Sequence, residues 1–213
     1  MTENEEYLYN HFLIGIKSGF ESLEDIINDA LEAVEEEGWE SEISEEWIRN
    51  TFSQEYAKHE EAAKTWSKPT DTDRLRQAFD NLCRDKIIAL HNAGYETADA
   101  IYDAGSVWKD AEDMGITPLG YCYYHGQDLE RAIEDNILMI GFYGATENND
   151  KEAIIVGNKV AKALKEVGFD IEWNGSAQKR ISIPDFQWQN VFVSHEDIDE
   201  KWGYDRVLKL MEG

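Results

Sequence analysis

The chain has 213 residues, enough for one sizeable domain or two small ones, and its 42% hydrophobic content with seven tryptophans and ten tyrosines excludes a disordered chain. Its formal net charge is −25, from 45 acidic and 20 basic residues, and a surface of that sign repels nucleic acid and anionic membrane, because every phosphate contact needs a cation. No apolar run approaches the roughly 20 residues of a spanning helix, and the acidic start MTENEEYLYN has the wrong sign for a signal peptide, so a cytoplasmic protein is expected.

Residues 1–68 read as helices. Tyr7, Phe12, Leu13 and Ile16 recur at helical spacing. Ser22 can cap a second helix with Asp25 three residues on, and Leu23, Ile26, Ile27, Ala30, Leu31 and Val34 form its apolar stripe up to Gly38. Ser44 opens a third, carrying Trp47, Phe52, Tyr56, Ala57 and Ala63. The run Glu35–Glu37 sits at a helix C-terminus, where negative charge opposes the dipole. SKPTDTD, 67–73, is the best internal boundary: Pro69 cannot continue a helix, and Thr70 or Asp71 can cap the next one.

After that boundary the rhythm changes. Helical patterns over 72–85 and 97–113 bracket the apolar run IIALHN. GYCYYH reads as a strand, QDLERAIED as a short helix, NILMIGFYGA as the most hydrophobic strand, and KEAIIVGNKVAKALKEVG as a helix ended by Gly168. FDIEW and RISI, joined by NGSAQK, have hairpin chemistry, and HEDIDEKWGYDRVLKLME reads as one C-terminal helix. The expected fold class is α+β, with a helical N-terminal region (1–68) followed by an α+β domain (69–213) in which helices pack on a mixed sheet.

The stretch YCYYHGQDLERA poses the functional question. In a strand over 121–125, Tyr121, Tyr123 and His125 share one face. Gly126 permits a turn, Asp128 falls in the first turn of the following helix, and Arg131 lies within i,i+3 reach of it. Two readings compete. In one, Asp128 orients His125 for proton transfer and Arg131 grips an anion. In the other, Asp128 caps the helix, Arg131 pairs with it, and His125 is structural. The structural reading needs fewer assumptions, since local capping alone explains these residue types. Trp173, Asn174 and Arg180 in WNGSAQKR are a second candidate, with Trp173 and Trp188 as an aromatic wall beside Arg180, set against a plain hairpin turn.

Gly141 and Gly144 hint only faintly at a phosphate loop, because no GxGxxG or Walker pattern follows. His11, His59, His91 and His195 lack ligand spacing, and Cys83 and Cys122 lie 39 positions apart without a CxxC pair, so free thiols, no metal and no cofactor are expected.

From about Asp71 to Phe192 the chain resembles an uncharacterised bacterial domain-of-unknown-function family. The matching stretches are TDTDRLRQAFDNL, GYCYYHGQDLERAI, NILMIGFYG and VGFDIEWNGSAQKRISI. The family's aromatic pair and His-x-Gln-Asp-x-Glu-Arg-Ala motif fall on Tyr123, Tyr124, His125, Gln127, Asp128, Glu130, Arg131 and Ala132. Its Trp-Asn-Gly and Arg-Ile pairings fall on Trp173, Asn174, Gly175, Arg180 and Ile181. Many members carry a cysteine cluster where this chain reads HNAGYETADAIYDAG, so a metal or redox role implied by that cluster does not transfer. The resemblance implies a fold and no activity.

The leading expectation is therefore a non-enzymatic acidic interaction protein that binds a basic protein partner, as an inhibitor or immunity protein does, with no direct contact to nucleic acid or membrane. Residues 1–70 hold 18 acidic residues against 5 basic ones, so both halves are acidic, although acidity also serves solubility alone. The alternative is an enzyme or small-ligand-binding protein using His125, Asp128, Arg131 and Arg180, with Gln127, Trp173 and Asn174 as further ligand contacts. It requires the 121–132 junction and the 173–180 turn to be neighbours. Mimicry of DNA by spaced carboxylates is a third reading.

Overall fold

The computed structural model describes residues 1–146 and 148–213, and these form two compact units, one made of 1–68 with 188–198, the other of 69–187 with 199–213. In the first unit, α1 (Glu3–Ser18), α2 (Leu23–Glu37) and α3 (Glu45–Ala63) start where the sequence supplies caps. Thr2 and Glu5 form one capping box, Ser22 and Asp25 a second, and the Ser44 hydroxyl accepts the Trp47 N–H. Their apolar stripes meet in a core of Leu8, Ile16, Ile26, Ile27, Ala30, Val34, Ile43, Ile48 and Phe52. Each large aliphatic or aromatic side chain buried there contributes about 1.5–3 kcal/mol. The segment 188–198 docks by polar contacts: the Trp188 indole N–H donates to the Ser18 carbonyl at 3.0 Å, the Asn190 amide donates to the Ser18 and Gly19 carbonyls, and His59 Nε2 lies 2.8 Å from the Asn190 carbonyl.

The second unit has the chain order α4 (Asp71–Arg84), β1 (Ile87–Leu90), α5 (Thr97–Asp113), β2 (Gly120–Tyr123), α6 (Gly126–Glu134), β3 (Leu138–Gly144), α7 (Asp150–Glu166), β4 (Ile181–Ile183) and, after α8 (His195–Trp202), α9 (Tyr204–Glu212). The sheet order is β1-β2-β3-β4, with β1 and β2 parallel and the other pairs antiparallel, so the architecture is α+β with a mixed sheet. Strand alternation gives the sheet two unlike faces. Ala89, Cys122, Leu138, Ile140, Phe142, Ile181 and Ile183 are buried on the face packed by α4 and α7. Tyr121, Tyr123, Gly141, Tyr143 and Arg180 line the other.

Gly141 is required by that second face. A Cβ there would lie 2.6 Å from the Tyr123 ring, so the glycine lets the phenol lie across β3 towards Arg180. Gly141 and Gly144 thus both belong to a strand, not a phosphate loop.

Two sequence expectations change. FDIEW forms only a single antiparallel bridge, Glu172 to Ser182. The Phe169 N–H closes the end of α7 on the Leu164 carbonyl, and the Phe169 ring packs between Phe186 and the Arg74 guanidinium, so these residues are used outside the ladder. The C-terminal helix is two helices. Gly203 has extended φ and ψ, which breaks the helix between α8 and α9, while its N–H donates to the Asp199 carbonyl at 3.1 Å, an approach that a Cβ, 2.5 Å from that oxygen, would obstruct.

His91, after β1, is a buried core histidine. Its ring stacks on Phe79 at 4.6 Å and meets Trp202 and Tyr124 edge-on, and its Nδ1 has no hydrogen-bond partner among the described residues. Burial first, then the Arg76 and Arg206 charges, push its pKa down to about 3. The folded value lies below the free one of 6.5, so the stabilisation is complete above pH 6.5 and is lost as pH falls towards 3. His91→Phe should flatten the acid limb of the stability profile by up to about 1.4 kcal/mol per pH unit over that window, read by urea unfolding. Parallel profiles for the two proteins would contradict this. In the same assay Gly141→Ala should lower stability by about 1–3 kcal/mol, because the Tyr123 ring has to leave the strand.

Candidate functional site

The C-terminal end of β2 and the start of β4 build the first cluster. His125 ends the extended chain and Gly126 opens α6, where Asp128 occupies the third position and accepts the His125 backbone N–H at 3.2 Å. Asp128 is completely buried. One oxygen, Oδ1, accepts from Arg131 Nη1 at 3.2 Å, and the other, Oδ2, pairs with Arg180 Nη2. Arg180 also donates to the Met139 carbonyl at 3.2 Å and carries its guanidinium 5.8 Å from the centre of the Tyr123 ring. A carboxylate out of water is tolerated only with such partners.

His125 is 3% exposed. Its Nε2 lies 3.4 Å from Arg180 Nη1 and 3.3 Å from the Thr97 hydroxyl. An arginine can only donate, so Nε2 bears the lone pair and the ring proton sits on Nδ1. Nδ1 is 3.1 Å from Asp128 Oδ2 but out of line for a hydrogen bond. Burial, which outweighs the attraction of Asp128 and is helped by Arg180 and Arg131, lowers the His125 pKa. The imidazole is therefore neutral at pH 7. A carboxylate behind the ring and a lone pair ahead of it is the layout of a general base. Here that lone pair faces only a guanidinium and the Thr97 hydroxyl, so the cluster acts first as a clamp joining the β2–α6 junction to β3 and β4.

The structure thus brings together His125, Asp128, Arg131 and Arg180, as the alternative reading required. Gln127 is exposed, with its N–H on the Tyr95 carbonyl. Trp173 turns to the other face of the sheet: its ring meets Phe142 edge-on at 5.4 Å, and its indole N–H donates to the Ser176 and Lys179 carbonyls. Asn174 accepts the Ser176 N–H within the turn. Trp173 and Asn174 therefore hold the loop and do not wall Arg180, and Trp188 belongs to the helical unit.

A second feature was not singled out from the sequence. On the tyrosine face, Tyr121 and Tyr143 stack at 5.2 Å and Tyr123 continues the stack towards Arg180. Burial, then the neighbouring Tyr143, push the Tyr123 phenol up to about 12, so it stays neutral. A groove of about 730 Å³ opens beside this stack, bounded by Ile101 and Trp108 of α5, Tyr121, Tyr143, Asp150 and Gln178. The only signal for it was the alternation of tyrosines in GYCYYH and GFYGA, which gives no hint that α5 leaves that face open.

Among the described residues no group of His, Cys, Asp and Glu could hold a metal ion, and no helix is long and apolar enough to cross a membrane. A family model described as "Domain of unknown function (DUF6891)" matches residues 1–192, taking in the N-terminal helices that the motif resemblance left outside. No curated protein and no solved structure matches the chain.

Asp128→Ala should cost about 3 kcal/mol in urea unfolding, the low end for breaking a buried ion pair because both guanidiniums reach water. An unchanged midpoint would show that the clamp carries no stability.

Proposed function

The chain belongs to the DUF6891 family, whose description assigns no function, and we propose that it is a non-enzymatic bacterial binding protein of the cytoplasm that receives a basic protein partner. The observation that carries this reading is the charge of −25. Its placement supports it further. The last turns of α2, α3 and α5 hold no basic residue, and exposed acids stand there instead: Glu35, Glu36 and Glu37 on α2, Glu60 on α3 (Glu61 beside it pairs with Lys64 at the C-cap), and Asp110, Glu112 and Asp113 on α5. Each such charge opposes the helix dipole by roughly 0.3–1 kcal/mol. Solubility alone does not require acids at those positions, whereas a surface shaped to attract cations gains from them. The buried thiols Cys83 and Cys122 suit a reducing compartment.

The enzyme or small-ligand reading, through His125, Asp128, Arg131 and Arg180, draws support from one observation, the approach of the Thr97 hydroxyl to His125 Nε2 at 3.3 Å. It ranks second because the imidazole is almost enclosed and its lone pair is already engaged. Labelling of Thr97 by a fluorophosphonate, lost in His125→Gln, would reverse that ranking.

The tagged protein should capture a stoichiometric basic protein from lysate at low salt and release it at high salt, since the screening length shrinks from about 8 Å at physiological ionic strength to about 3 Å at 1 M. Capture of nothing basic, or of a partner indifferent to salt, would refute the proposal.

A further inference from the structure

We infer that the groove on the tyrosine face is a receptor site for an organic cation, specifically the guanidinium of an arginine side chain presented by the partner. The inference rests on the basic-partner reading for its biological occupant and on the groove's own chemistry for its ligand class.

Four observations point the same way. Three aromatic rings line the groove. Tyr121 and Tyr143 lie within 25° of parallel at 5.2 Å, Tyr143 is 40% exposed, and Trp108 of α5 lines the same groove. Aromatic faces carry negative charge density and attract cations, and a planar guanidinium also stacks on them. The same stack already holds one guanidinium, since Arg180 sits over Tyr123 at its inner end. The polar lining has the matching sign. Among the described residues it includes the Asp150 carboxylate and no lysine or arginine, and the Trp108 indole is held by Glu112 at 3.1 Å, which puts a further carboxylate beside the ring. Finally, α5 leaves room there: Gly105 lines the groove, and a Cβ added on it would meet nothing within 4 Å. α5 thus presents a gap at the point where it faces the rings.

An aliphatic or anionic occupant fits less well. An anion would face Asp150 with no cation among the described lining residues. A plain hydrocarbon would gain from Ile101 and the rings but would make no use of the Asp150 carboxylate, whose one oxygen accepts the Gln178 amide at 2.7 Å and whose charge favours a cation. Arginine supplies a flat cation for the rings, N–H donors for the carboxylate, and an apolar stem for Ile101.

The test uses the full chain and two small probes, N-acetyl-arginine amide and its neutral isostere N-acetyl-citrulline amide, followed by NMR of the tyrosine and tryptophan rings. The arginine probe should shift the Tyr121, Tyr143 and Trp108 resonances saturably at millimolar concentration, and citrulline should bind about fivefold more weakly or less. Gly105→Leu fills the groove at a helical position with free space, so it should abolish the shifts while leaving the unfolding midpoint unchanged or raised. Tyr143→Leu should weaken binding about fivefold or more. Equal binding of the two probes, or no shift of these rings up to on the order of 50 mM, overturns the inference. Partner capture separates the two proposals. A basic partner retained equally by wild type and Gly105→Leu overturns the groove as its receptor and leaves the basic-partner reading standing. Saturable arginine binding without any basic partner in lysate overturns the latter and leaves the groove as a cation site.

Discussion

The Asp128 carboxylate is the constraint around which the sheet unit is organised. A charge with no access to water needs compensation on each oxygen, and here three groups from two parts of the chain supply it: the His125 N–H and Arg131 at the β2–α6 junction, and Arg180 from the turn before β4. Arg180 in turn donates to β3 at Met139. One carboxylate therefore holds the register of an edge strand of only three residues, which backbone pairing alone would secure weakly. The neutral state of His125 belongs to the same arrangement, because a protonated ring would place a third cation beside two arginines.

From that clamp follows the division of the sheet. One face is filled with aliphatic and aromatic side chains under α4 and α7, as an ordinary core is. The other carries a tyrosine stack whose inner end is occupied by the clamp's arginine and whose outer end is open. Gly141 makes the inner contact possible, because a Cβ there would meet the Tyr123 ring at 2.6 Å. The acid residues at the ends of α2, α3 and α5 act differently. Apart from Glu112, which holds the Trp108 indole, and Glu61, which pairs with Lys64, they add exposed negative charge. In the proposed reading, long-range attraction would govern encounter and the aromatic groove would govern what stays bound.

The amino-acid sequence by itself determined most of the local structure. The caps at Ser22, Ser44 and Thr70, the apolar stripes of α1 to α3, the helices α4 and α5 and the strands around IIAL, GYCY and LMIGFYG stand where pattern and capping chemistry place them, because these are decided within a few residues. The α+β class with a mixed sheet followed from the order of those elements, and the charge was legible by counting. Part of the cluster was legible too. The i,i+3 spacing of His125, Asp128 and Arg131 put them together before any fold was known. Only the tertiary structure decided that Arg180, 52 residues from Asp128, completes the pair while Trp173 turns to the opposite face, since a strand's register and side depend on its partner strands. It also decided that FDIEW would surrender its strand to the closing of α7, that Gly203 would split the last helix against the Asp199 carbonyl, and that α5 would leave the tyrosine face open. Each of these is a contest between contacts distant in sequence, and local propensity does not hold the information that settles it.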